Sequence, residues 1–183
     1  MKNNIEDRER RTFEIWTLFE QERWKESAPN QNQNWDVPLI NEISTNNWLT
    51  REVIPTKVFK WNSLTVSINF AKNVFYQPYD YCASVNIVPL HWTFMNKYVW
   101  LFITTELSRQ NQKYTYAYKT SKERLNATKI LLPVDNQWNP DYKFMEDFIK
   151  EREKIKREKY RKYVESQIKI LGEDWDFRER ENY

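Results

Sequence analysis

His91 and Cys82 are the sole histidine and the sole cysteine in 183 residues. A structural zinc site takes about four ligands from these two types, so a His/Cys metal cluster is excluded. A Cys82–His91 nucleophile pair can be drawn, but neither residue stands in a local signature of thiol catalysis. Asp141-Tyr142-Lys143, six residues after Asp135, has the acid-x-Lys form of a metal-dependent nuclease. It falls in the turn-like run DNQWNPD (135–141), without further spaced acids to complete a metal pair. The single glycine, Gly172, leaves no phosphate-cradling loop and no dinucleotide fingerprint. One cysteine also rules out an internal disulfide framework. This inventory argues for a binding module.

The elements that would carry such a module change character along the chain. Residues 1–12 read as a charged lead-in. From about 13 to 135 the pattern is short and strand-like. VPLINEIS, SLTVSINFA, NVFYQPY and YCASVNIVPL are rich in Val, Ile, Phe and Tyr and are broken by Asn, Pro and Ser. NKYVWLFITTELSRQNQKY reads as a helix, because Val99, Phe102, Ile103 and Leu107 recur at helical spacing. A short helical turn at 121–126 and a strand at 130–134 follow. Pro140 suits a helix start with Asp141 in the first turn. The helix then runs to about residue 172, ahead of a charged tail at 173–183. Met145, Phe148 and Ile155 form one apolar stripe; Val164, Ile168 and Leu171 form another. Too long for a small core, this helix is expected to pair with another in coiled-coil fashion. The fold class expected is α+β: a mixed β-sheet domain with short helices, followed by a long C-terminal helix.

Charge is unevenly placed. The net charge is +3, yet residues 57–129 hold ten Lys/Arg against three Asp/Glu, while residues 1–56 hold seven against ten. A basic segment suits a polyanion such as nucleic acid, or is simply a solvated face. No apolar run approaches the ~20 residues of a membrane helix, and the charged N-terminus has no signal core. A cytoplasmic protein without membrane contact is expected.

FYQPYDYCAS, KYTYAYKTSKERL, KILLPVD and NPDYKFMEDFIK, in this order, resemble the target recognition domain of a Type I restriction–modification DNA specificity subunit. The resemblance covers about residues 13–150, placing the recognition domain at 13–139 and the family's helical region at 140–172. It implies a non-catalytic subunit that reads one half of a bipartite double-stranded DNA target. It also implies docking to methyltransferase subunits and, in the full complex, an endonuclease subunit. S-adenosylmethionine, ATP and magnesium would belong to those partners, and no cofactor to this chain. A full subunit has two recognition domains and two helices. This chain has one of each, so a homodimer through the 140–171 helix or a fragment of a broken gene is implied. A decayed fragment or a basic interaction module without DNA reading is the alternative. NPDY (139–142) also has part of the Asn-Pro-Pro-Tyr motif of amino-methyltransferases, but it lacks the second proline.

A DNA reader needs cations for phosphates and amide or hydroxyl groups for base edges. The polar loops offer Lys25; Ser44, Thr45, Asn46 and Asn47; Lys60 and Asn62; Asn69 and Lys72; and Tyr118, Lys119, Lys122 and Arg124. Each of these is equally a solvated turn or cap residue.

The resemblance also bears on an oddity of composition. The chain has nine Trp and one Gly, where average usage would give roughly 7% glycine. Trp16, Trp24, Trp35, Trp48, Trp61, Trp100 and Trp138 stand where family members carry glycine. UGA is read as glycine in some bacterial codes and as tryptophan in others. The expectation is that these seven positions are glycine in the source cell, and that several need a left-handed backbone.

Overall fold

The computed structural model describes residues 5–21, 37–41, 47, 49–53, 57–67, 74–109 and 122–180. A single 3-10 turn (Ile5–Asp7) leads into β1 (Arg10–Glu14), α1 (Ile15–Leu18) and β2 (Glu20–Gln21). Then come β3 (Val37–Ile40), β4 (Leu49–Val53), β5 (Ser63–Ser67), β6 (Val74–Gln77), β7 (Cys82–Ala83) and β8 (Ile87–His91). The chain closes with α2 (Lys97–Arg109), α3 (Lys122–Asn126), β9 (Lys129–Pro133) and α4 (Tyr142–Arg180).

Among the described residues three small sheets are formed. The largest has the order β2-β8-β5-β6 and is antiparallel throughout; a second, β4-β3-β7, is mixed, with β3 and β7 parallel; β1 and β9 make an antiparallel pair. The α+β class with a mixed sheet and a long C-terminal helix is therefore the one expected.

α2 starts at Asn96, whose Oδ1 accepts from the backbone N–H groups of Tyr98 and Val99 at 3.0 and 3.2 Å. This is an N-cap satisfying two of the donors left open by a helix start. Its buried face (Val99, Trp100, Phe102, Ile103, Leu107) joins Leu64, Val66, Val88, Leu90, Ile130 and Leu132 in the main core. Each such aliphatic residue contributes roughly 1.5–3 kcal/mol on burial.

Three features depart from the sequence reading. Residues 5–12 are not a mere lead-in. β1 pairs along its length with β9, Arg8 forms an ion pair with Asp141, and its guanidinium lies 4.6 Å from the Phe144 ring centroid. Asp141 is not inside the first turn of α4 but caps it, its Oδ1 accepting from the Phe144 N–H at 2.9 Å. α4 then runs to Arg180 rather than stopping at 172, passing through Gly172. A glycine inside a helix costs only about 1 kcal/mol relative to alanine, too little to end one by itself.

The stripes on α4 also divide. Met145 is fully buried in the main core, and Phe148 packs edge-on against Phe102 with centroids 5.8 Å apart. Met145 is therefore committed to its own domain, and the half-buried Phe148 helps anchor α4 there. Ile155 (39% exposed), Ile168 (63%) and Leu171 (62%) face solvent, as do Tyr160, Tyr163 and Ile170; Val164 is half-buried.

Candidate nucleic-acid interface

The loop before β5 and the strands β5 and β6 bring several polar candidates together. Asn62 adopts φ +57° and Asn47 φ +52°, a left-handed conformation that asparagine tolerates better than most residues. Asn47 donates from Nδ2 to the Tyr76 carbonyl oxygen at 3.3 Å; the Tyr76 hydroxyl donates to Asn62 Oδ1 at 3.3 Å. Asn62 Nδ2 in turn donates to the Met95 carbonyl at 2.7 Å. Both ends of the Asn62 amide are thus engaged in holding the turn, so this residue positions its neighbours. Asn47 remains exposed.

Lys60 sits beside that turn with its side chain 78% exposed, donating to Asp80 Oδ2 at 2.8 Å. Asp80 also accepts from the Trp61 backbone N–H at 2.9 Å. The Lys60 hydrogen bond first, and the Trp61 bond second, hold the Asp80 carboxyl below its usual range. An exposed pair of this kind contributes only about 0–1 kcal/mol, so Lys60 can exchange Asp80 for a phosphate at little cost. Trp61, Tyr79 and Phe94 expose large aromatic surfaces on the same domain (58%, 75% and 90%), the amphipathic groups on which bases stack.

Of the remaining sequence candidates, Arg124 is exposed at the C-terminal side of α3, and Lys122 begins that helix. Lys25, Ser44, Thr45, Asn46, Asn69, Lys72, Tyr118 and Lys119 lie outside the described residues.

The catalytic possibilities weaken further in three dimensions. Cys82 is 1% exposed, packed beside Leu39 in the β4-β3-β7 sheet, while His91 ends β8 in the other sheet. Asp135 is spent on a turn: its Oδ1 accepts from the backbone N–H groups of Gln137 and Asn139 at 2.8 and 3.0 Å. Asp141 caps α4, and Lys143 donates to Asp147 at 2.8 Å. Among the described residues no group of three or more His, Cys, Asp or Glu could hold a metal ion. No described helix is long and apolar enough to cross a membrane.

Sequence reasoning missed one feature. On the β2 edge of the four-stranded sheet, a cleft of about 460 Å³ is lined by Glu20, Gln21, Lys57, Phe59, Lys60 and His91 among others. β2 is two residues long and carries no apolar alternation, so nothing in the sequence marks it as a strand.

The described residues form small sheets packed with short helices, followed by a long helix whose residues from about 154 to 172 are mostly exposed. The chain belongs to the family described as Type I restriction modification DNA specificity domain, whose pattern matches residues 8–162. A relative, "Type II restriction enzyme BgcI specificity subunit S.BcgI" of Heyndrickxia coagulans, is 34% identical over 119 residues, covering 62% of this chain and 35% of the relative. The crystal structure of the HsdS subunit from Thermoanaerobacter tengcongensis superposes with a TM-score of 0.57 at 12% identity, over 81% of this chain and 38% of that one. The Type I restriction–modification S subunit from M. genitalium gives 0.54 at 11% identity, over 88% and 43%. At these identities the solved structures establish a shared fold. This chain spans about a third to two fifths of the length of these relatives.

Proposed function

We propose that this chain is the sequence-reading part of a restriction–modification specificity subunit. It reads one half of a bipartite duplex target and holds a methyltransferase subunit, which methylates adenine, against the DNA. The chain carries out no chemistry; methyl donor, ATP and magnesium are bound by partner subunits, the endonuclease subunit included. The cytoplasm, where the DNA lies, is its place of action. The family match over residues 8–162 carries this reading, and the Asn47 and Asn62 contacts around Tyr76, with the exposed Lys60 two residues before Asn62, support it. In this reading Lys60 meets phosphate and Asn47 a base edge, with the polar loops outside the described residues extending the surface. The exposed half of α4 receives a second helix, from another copy of this chain or from a second recognition half.

Long-read mapping of N6-methyladenine in source cells with and without the gene tests the proposal. Loss of one bipartite motif on deletion is the expected result. An unchanged methylome would overturn it and leave a basic interaction module or a decayed fragment. On the purified chain, Lys60→Ala should weaken binding about equally for all duplexes and lower the salt slope by about 1, the signature of one lost phosphate contact. Binding that ignores salt would contradict this.

A further inference from the structure

The cleft on the β2 edge contains polar groups that the fold itself does not use. β2 and β8 pair with Glu20 opposite His91 and Gln21 opposite Leu90. Gln21 Oε1 and His91 Nε2 are both shielded from solvent and make no hydrogen bond. Two such orphans on adjacent strands of one cleft call for an explanation, because each buried unsatisfied polar group costs about 1–3 kcal/mol. Around them stand Lys57, over the Phe59 ring at 5.0 Å, and the exposed Lys60. Glu20 completes the rim.

The mixture of charges is informative. A site for a bare anion would surround it with donors and would not keep the Glu20 carboxylate at its rim. A nucleobase edge presents donors and acceptors side by side, and the phosphate of the same nucleotide is anionic. Glutamine is the side chain that pairs with adenine, its amide oxygen accepting from the amino group, while a carboxylate accepts from an exocyclic amine. Lys57 and Lys60 stand where the phosphate would be. Burial pushes the His91 pKa down, against the opposing pull of Glu20 and with a smaller push from Lys57, which favours the neutral ring. A neutral imidazole offers one donor and one acceptor to a base.

We infer that the Gln21–His91 cleft at the β2 edge is a base-reading site for duplex DNA, with Lys57 and Lys60 clamping the adjoining phosphate. Gln21 and His91 are then specificity-determining residues that the polar-loop reading did not contain. The inference rests on the DNA-reading function proposed above.

The test is selection from a randomised duplex pool by this chain, with affinities for the enriched duplex measured at several salt concentrations, for wild type, Gln21→Ala, Gln21→Glu, His91→Ala and His91→Asn. Thermal melts of each variant confirm folding, and the near-isosteric Gln21→Glu and His91→Asn serve if an alanine variant fails to fold. Wild type should enrich one sequence. The Gln21 and His91 variants should lose about tenfold discrimination at one position of that sequence, and the uncharged ones should keep the wild-type salt slope. Lys57→Ala should weaken all sequences alike. Wild-type enrichment with unchanged preferences in every folded Gln21 and His91 variant would overturn the cleft assignment alone. No enrichment by wild type would overturn both the cleft assignment and the DNA-reading function.

Discussion

Trp138 holds φ +67° in the turn between β9 and α4. The turn is closed by backbone bonds from Asp135 N–H to Asn139 O (2.9 Å) and from Trp138 N–H to Asp135 O (3.1 Å), and the Arg11 guanidinium lies 3.5 Å from the Trp138 ring centroid. A glycine fits this backbone without strain. Trp16 and Trp61 are exposed but not left-handed, and Trp100 is fully buried at the end of the first turn of α2, 5.4 Å from the Phe19 ring. Of the four described tryptophans expected to be glycine, only Trp138 needs a left-handed backbone. Among the described residues the other left-handed ones are Asn47 and Asn62; Asn62 follows Trp61, and Asn47 precedes Trp48, which lies outside the described residues. Replacing Trp138 by Gly relieves about 1–2 kcal/mol of strain. It gives up a cation–π contact of about 0.5–1 kcal/mol and a similar amount of chain entropy. The melting temperature should therefore move little. Trp100→Gly should cost about 3–5 kcal/mol for the lost core aromatic and about 1 more for glycine in a helix. At roughly 2–4 °C per kcal/mol, thermal melts separate the two easily. If Trp100→Gly proves neutral, the core assignment of that residue is wrong. Peptide masses from source cells decide which positions are glycine in nature. Glu106 provides another test at this scale. Burial raises its pKa, with Arg109, donating at 2.5 Å, opposing. A carboxyl raised on folding holds its proton longer in the native state, so stability falls as pH rises from the unfolded pKa through the folded one. Glu106→Gln should be more stable than wild type at pH 7, and the gain should vanish below pH ~4.

α4 does two jobs along its length. Its first turns belong to the domain core, and Met145→Ala should cost about 2–5 kcal/mol, measurable by urea denaturation. From Ile155 to Gly172 the helix is mostly exposed, held by i,i+4 pairs such as Arg157–Glu153 at 2.6 Å and Arg161–Glu165 at 3.5 Å. Such pairs contribute only a few tenths of a kcal/mol each. If this half pairs with a second helix, Ile168→Lys with Leu171→Lys should shift sedimentation from dimer to monomer without lowering the melting temperature. A wild-type chain that stays monomeric at tens of micromolar would count against pairing. The existence and type of α2, β5, β6, β8, β9 and α4 were legible because each carries its own periodicity or cap. β2 and β4 were not picked out, and β1 lay mostly within the supposed lead-in: RRTFE is charged at its start, and only pairing with β9 makes it a strand.

For the whole molecule, the described parts of the basic segment 57–129 supply β5 to β8, α2 and α3, while the charge-balanced residues 140–183 carry α4. Composition and word order alone determined the fold class, the family resemblance, the long helix, and the absence of a His/Cys metal cluster or a glycine-rich phosphate loop. Those properties depend on residue type and on spacing within a few turns of chain. Tertiary structure decided which polar groups are consumed and which are available. Asn62 is committed to Met95 and Tyr76, Asp141 to Arg8 and the start of α4, and Met145 to the core rather than a partner. It also decided that Gln21 and His91, seventy residues apart, share one cleft with Lys57 and Lys60. That convergence depends on the β2–β8 register, and a register between distant strands follows from which apolar faces bury together. A single sequence lists those faces without saying which of them meet.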